Sequence, residues 1–159
     1  MLEQFLEKTE FKDYKDFFEN YKIKVPENFN FGYDVVDYLA EHNPDAKAMI
    51  WCNDNGEELT LTFKQVKERS DRAAAFMMKQ GIKRGDFVML ILQRRYEFWI
   101  TIVALHKIGA SVIPATHMLT TEDIVYRCNA AGIKHVFAVH DREIFNYIEE
   151  AQTEAPSLK

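Results

Sequence analysis

Three times between residues 62 and 139 the chain runs through one unit: a helical stretch, a glycine, a short gap and an apolar strand. The first unit opens at Thr62-Phe63-Lys64-Gln65, a capping box. The Thr62 hydroxyl can accept from the amide three residues on, and Gln65 can reach back. Its helix runs to Gln80 and stops at Gly81, and the strand is Phe87 to Leu92. The second has a helix from about Tyr96 to Ile108, Gly109, and a strand from Ala110 to Pro114. The third has a helix from about Thr121 to Ala131, Gly132, and a strand from Lys134 to Val139. A glycine just past a helix suits the left-handed C-cap. All three strands are apolar on both faces, as parallel strands covered by helices on both sides must be. Asp141 can cap a last helix, about Arg142 to Ala151. The pattern predicts an α/β fold: a three-layer arrangement with a parallel sheet between helices.

Lys47 to Cys52 and Glu58 to Phe63 flank Asn53-Asp54-Asn55-Gly56, which predicts a β-hairpin, placed here at the sheet's edge. Upstream, Leu2, Phe5, Leu6, Phe17, Phe18 and Tyr21 fall roughly on one helical stripe, and Pro26 ends it. A short amphipathic helix, Tyr33 to His42, follows. Residues 1–31 therefore read as an attached helical segment, 32–151 as the α/β lobe and 152–159 as a tail. The unit spacings differ, so this is not a repeat array.

Composition limits the function. Twenty Lys+Arg against 25 Asp+Glu give a net charge of −5, and no basic cluster exceeds Arg94-Arg95. That is a poor surface for nucleic acid or anionic lipid. Cys52 and Cys128 are far apart, which disfavours a disulfide framework or a thiolate zinc site and fits a reducing, cytoplasmic setting. The acidic, amphipathic N-terminus does not resemble a signal peptide, and no apolar run approaches the ~20 residues that span a bilayer.

The common chemical motifs are absent. There is no Gly-x-Gly-x-x-Gly after a strand, no Walker lysine loop and no Gly-x-Ser-x-Gly elbow. Gly81 to Gly85, with Lys83 and Arg84, reads as a helix-to-strand connector on the edge away from ligands. The opposite edge carries the candidates. In Gln93-Arg94-Arg95-Tyr96-Glu97, two arginines at a helix start oppose the helix dipole. Either Glu97 and solvent compensate them, or an anionic ligand does. In Pro114 to Thr120, His117 either meets a ligand or hydrogen-bonds a carbonyl. Arg127, farther along the next helix, reads on its own as a solvated charge. His106 and Lys107 suit the C-terminal end of their helix. No catalytic or metal-binding grouping follows from spacing.

Leu61-Thr62-Phe63-Lys64-Gln65-Val66 with Ser70-Asp71-Arg72-Ala73, then Gly81-Ile82-Lys83-Arg84-Gly85-Asp86, then Glu97-Phe98-Trp99 through His106-Lys107-Ile108-Gly109-Ala110 to Pro114, occur in order. Together they resemble the N-terminal lobe of the AMP-forming acyl-CoA synthetases, of the adenylate-forming superfamily. Pro114-Ala115-Thr116-His117-Met118 and Asp123-Ile124-Val125-Tyr126-Arg127 are similar to the medium-chain and acetyl-CoA synthetase branch. Gln93-Arg94-Arg95-Tyr96 lacks the proline common there. The resemblance implies that Arg127 meets a phosphate of coenzyme A, and that His117 and Met118 line the coenzyme entrance.

The resemblance also implies the activity of an intact parent. A carboxylic acid is activated by ATP, with Mg2+, to an acyl-adenylate, and the acyl group then passes to CoA. The family's phosphate loop, its AMP and magnesium stretch, its ribose aspartate and its C-terminal lysine are all missing here. The chain is thus expected to be a fragment, inactive alone. A stand-alone module binding CoA or a nucleotide, or serving in protein interaction, is the alternative. A partial lobe is also expected to self-associate through uncovered apolar surface.

Overall fold

The computed structural model describes residues 2–158. Three parallel strands, β3 (Phe87–Ile91), β4 (Ser111–Pro114) and β5 (His135–Ala138), form a sheet in the order β4-β3-β5. The central strand is enclosed past its first residue, with Val88, Met89 and Leu90 at 0% exposure. Its alternation sorts the core. Val88 and Leu90 point to helices α4 (Phe63–Lys79) and α5 (Glu97–Ile108), meeting Met77, Ala104 and Leu105. Met89 and Ile91 point the other way, to α6 (Thr121–Ala131) and α7 (Arg142–Gln152), meeting Ile124, Cys128 and Ile144. This is the α/β/α sandwich the strand pattern predicts.

The capping logic holds at atomic level. Thr62 accepts from the Gln65 amide at 3.3 Å and Gln65 Oε1 accepts from the Thr62 amide at 2.9 Å. Thr120 and Asp123 form a second such box, and Asp141 caps α7. Gly109 and Gly132 end their helices at φ of 78° and 63°, the region closed to most L side chains.

The hairpin exists as β1 (Lys47–Cys52) and β2 (Glu58–Thr62), but its placement is a correction. It is a separate two-stranded sheet, not an edge of the parallel one. Its apolar side, with Leu61, packs on Val66, Ile100 and Val103, the outer side of α4 and α5. The helix layer therefore lies between the two sheets and denies them a shared ladder. The turn also differs. Only Gly56 takes a positive φ, of 78°, while Asn53 O accepts from the Gly56 amide at 3.1 Å.

The N-terminal stripe is not one helix. The described part has α1 (Leu2–Phe5) and α2 (Tyr14–Asn20), capped anew by Asp13. Leu6, after α1, forms an antiparallel bridge with Ile23, beyond α2, and Phe11 lies edge-on to Phe17 of α2 at 5.1 Å. A π-helical turn, Gly32–Asp37, then runs into α3 (Tyr38–His42). Gly32 is required there, because a Cβ would lie 2.6 Å from Lys107 Cγ. Residues after Gln152 pack back on the sheet. Ala155 and Leu158 are buried in the α6–α7 core, and Ser157 Oγ donates to Ile133 O at 2.8 Å.

Candidate functional site

Connection handedness decides where a ligand can sit. The connection from β3 to β4 carries α5 over one face. That from β4 to β5 passes β3 in the opposite direction, so a right-handed crossover must carry α6 over the other face, as observed. The two turns leaving β3 and β4 thus part to opposite faces. In open α/β sheets the crevice between such turns is the ligand position.

A cleft of about 790 Å³ opens there, lined by Gln93, Arg94, Phe98, Thr116 and His117, with Asp54 from the hairpin tip. Gln93 is the one non-glycine residue with positive φ among those described, at 52°. Such strain collects at functional sites. Trp51 Nε1–H donates to Arg94 O at 2.6 Å, and the Trp51 ring lies edge-on to Tyr96 at 5.7 Å. The Arg69 guanidinium covers the Tyr96 ring at 5.6 Å. The 93–96 turn is therefore held from both the hairpin and α4. Glu97 makes no ion pair with either arginine among the described residues, and its Oε2 is buried with no hydrogen-bond partner. Neither Arg94 nor Arg95 pairs with a carboxylate among the described residues.

Of the three predicted contacts, His117 lies on the cleft wall and is exposed. Met118 follows it at 74% exposure, outside the lining, its amide donating to Thr116 Oγ1 at 3.3 Å. Arg127 lies farther along α6, half-buried and also outside the lining. It donates to Asp123 O at 3.3 Å and approaches the Asp123 carboxylate at 3.7 Å. Asp123 is held below the usual carboxylate range, first by the Thr120 amide and hydroxyl and lastly by Arg127. Asp123 thus stands as an anion beside Arg127. Sequence reasoning missed Trp51, Asp54 and Phe98 as part of this edge. Gln93 and Arg94 stood in the turn it singled out, where the signal was the charge of two arginines at a helix start.

A second hollow, of about 650 Å³, is apolar and lies between the hairpin and α5, with Ile50, Trp99 and His106 on its walls. It has no cationic side chain for an anion. Burial pushes the Cys128 thiol up, so it is an inert core group. Among the described residues no three His, Cys, Asp or Glu side chains are grouped to hold a metal ion. No helix of the described chain is long and apolar enough to cross a membrane.

A parallel sheet with a cleft at its switch point places any ligand at this edge. The family model for AMP-binding enzymes matches residues 36–159, and the chain belongs to that family. It is 35% identical over 144 residues to the mitochondrial acyl-coenzyme A synthetase ACSM5 of Rattus norvegicus, covering 87% of this chain and 25% of the relative. It is 35% identical over 127 residues to the mitochondrial acyl-coenzyme A synthetase ACSM3 of Homo sapiens, covering 76% and 22%. The N-terminal domain of FACL13 from Mycobacterium tuberculosis superposes with a TM-score of 0.72 at 20% identity, over 82% of this chain and 32% of that one. A putative long-chain-fatty-acid CoA ligase from Rhodopseudomonas palustris gives 0.66 at 25% identity, over 84% and 31%. The chain thus spans about a quarter of the length of the curated relatives it matches.

Proposed function

We propose that this chain is the first lobe of an AMP-forming acyl-CoA synthetase. The whole enzyme would activate a carboxylic acid with ATP to an acyl-adenylate and pass the acyl group to CoA. The observation that carries the reading is the polar cleft at the switch point in a chain of the AMP-binding family. Coenzyme A supplies the thiol that takes the acyl group. This chain's part is to bind and orient. His117 and Met118 stand at the entrance, and Arg127 offers its planar guanidinium fork to a phosphate. Magnesium would accompany ATP, and no residue here is assigned to it.

Catalysis needs groups this sequence lacks, so the chain alone binds without adenylating. The free thiols fit a reducing compartment. The composition suggests the cytoplasm and the relatives' names the mitochondrion; fractionation of the source cell decides. Self-association of the separate lobe follows from its open apolar hollow.

Calorimetry with CoA tests the reading. The 159-residue chain should bind, and Arg127→Ala should weaken binding about tenfold, the loss of one charge-assisted phosphate contact. No heat from the parent chain sinks the coenzyme assignment. ATP–pyrophosphate exchange by the purified chain would overturn the claim that it is inactive alone.

A further inference from the structure

We propose that the 93–97 turn is an anion-binding corner of the cleft, with Arg94 the contact for a phosphate group and Trp51 the residue that positions it. The ligand's identity rests on the reading above; the chemistry of the corner does not. Arg94 and Arg95 directly precede the positive end of a 12-residue helix, and of the two Arg94 lines the cleft. Like charges at a helix start are unfavourable unless an anion joins them. The internal candidate is unused, since Glu97 Oε2 is buried without a partner and pairs with neither arginine.

The turn is nonetheless rigidly specified. The Trp51 indole donates to Arg94 O at 2.6 Å, Tyr96 is held between Trp51 and Arg69, and Gln93 is kept at φ of 52°. A left-handed glutamine persists only where its surroundings over-determine it. The result sets Arg94 on the same cleft as Thr116 and His117, both able to donate, with Phe98 giving an apolar wall for a base. Asp54 is the one carboxylate lining the cleft, at the hairpin tip, so the anion's place is at the Arg94 and His117 side. A phosphate from either coenzyme A or ATP meets this chemistry.

The experiment titrates the full chain with CoA, ATP and inorganic pyrophosphate separately, by calorimetry. Trp51 emission, read in a Trp99→Phe background, reports occupancy at this corner. Arg94→Gln should weaken the bound ligand about tenfold and flatten its salt dependence, with thermal midpoint unchanged. Arg95→Gln, an equal change of charge outside the lining, should leave affinity near the parent's. Trp51→Phe keeps a ring but loses the N–H donor. It should weaken binding several-fold at unchanged stoichiometry and salt slope, whereas a loss of folded protein would lower the stoichiometry.

Equal affinity of Arg94→Gln and parent overturns the proposal. If CoA binding then still depends on Arg127, the coenzyme reading stands and this inference falls. If ATP or pyrophosphate binds through Arg94 while CoA does not bind, the inference stands and the coenzyme reading falls. No heat with any of the three ligands overturns both.

Discussion

Lys107 shows how far a residue's role departs from its place along a helix. It sits in the last turn of α5, where a cation favours the dipole. Its side chain is only 2% exposed and pairs with Asp37 Oδ1 at 2.7 Å and with Asp71, which Lys67 also reaches at 2.8 Å. Burial works to raise the Asp71 carboxyl, but hydrogen bonds from Lys107 and Lys67 outweigh it and hold it low. Asp86 is the simpler case. Lys134 Nζ donates to it at 2.8 Å and the Lys83 amide at 2.9 Å, and these hold its carboxyl below the usual range. A depressed folded pKa means stability that is full above the unfolded value of about 3.9 and lost as pH falls through the folded one. Asp86→Asn should cost about 1–2 kcal/mol at pH 7. Its stability should also fall less steeply than the parent's below about pH 4. Urea midpoints between neutral and acid pH check this; parallel acid limbs would refute it.

At the level of elements, the chain after α7 shows what a pattern search overlooks. Residues 153–158 have no period, yet Ala155 and Leu158 close the α6–α7 core, and Asn129 Nδ2 donates to Glu154 O at 3.1 Å. Leu158→Ala should destabilise by about 2–5 kcal/mol, as large-to-small core changes do. Phe18→Ala, at a position 75% exposed, should change stability by no more than about 0.5 kcal/mol. Chemical denaturation of both variants measures the contrast. A Leu158→Ala protein as stable as its parent would show that this segment does not belong to the core.

The whole molecule is asymmetric in what it covers. The parallel sheet has helices on both faces, whereas the hairpin leaves Ile50 64% and Trp99 57% exposed on one apolar hollow. Apolar surface of this kind beside unpaired strand edges favours association. Sedimentation velocity over a wide concentration range should show reversible self-association, and Ile50→Lys should shift it to monomer. A parent chain that stays monomeric throughout removes the prediction.

Local chemistry determined much of this protein in advance. Thr62 and Gln65, Gly109, Gly132, and the double-faced strands each act within a few residues, so helix limits, strands and the α/β class were legible from the chain. His117 and the arginines of the 93–95 turn were legible too, because their position in the pattern puts them on the ligand edge. What waited for the tertiary structure were contacts across long separations. Trp51 meets Arg94 O only because the hairpin packs behind α5 and not on the sheet. Lys107 becomes a buried ion only because Asp37 arrives from the π-helical turn. The division is physical: periodicity and caps are set by neighbours along the chain, while which charges are buried and which turns share a cleft depends on how the layers stack.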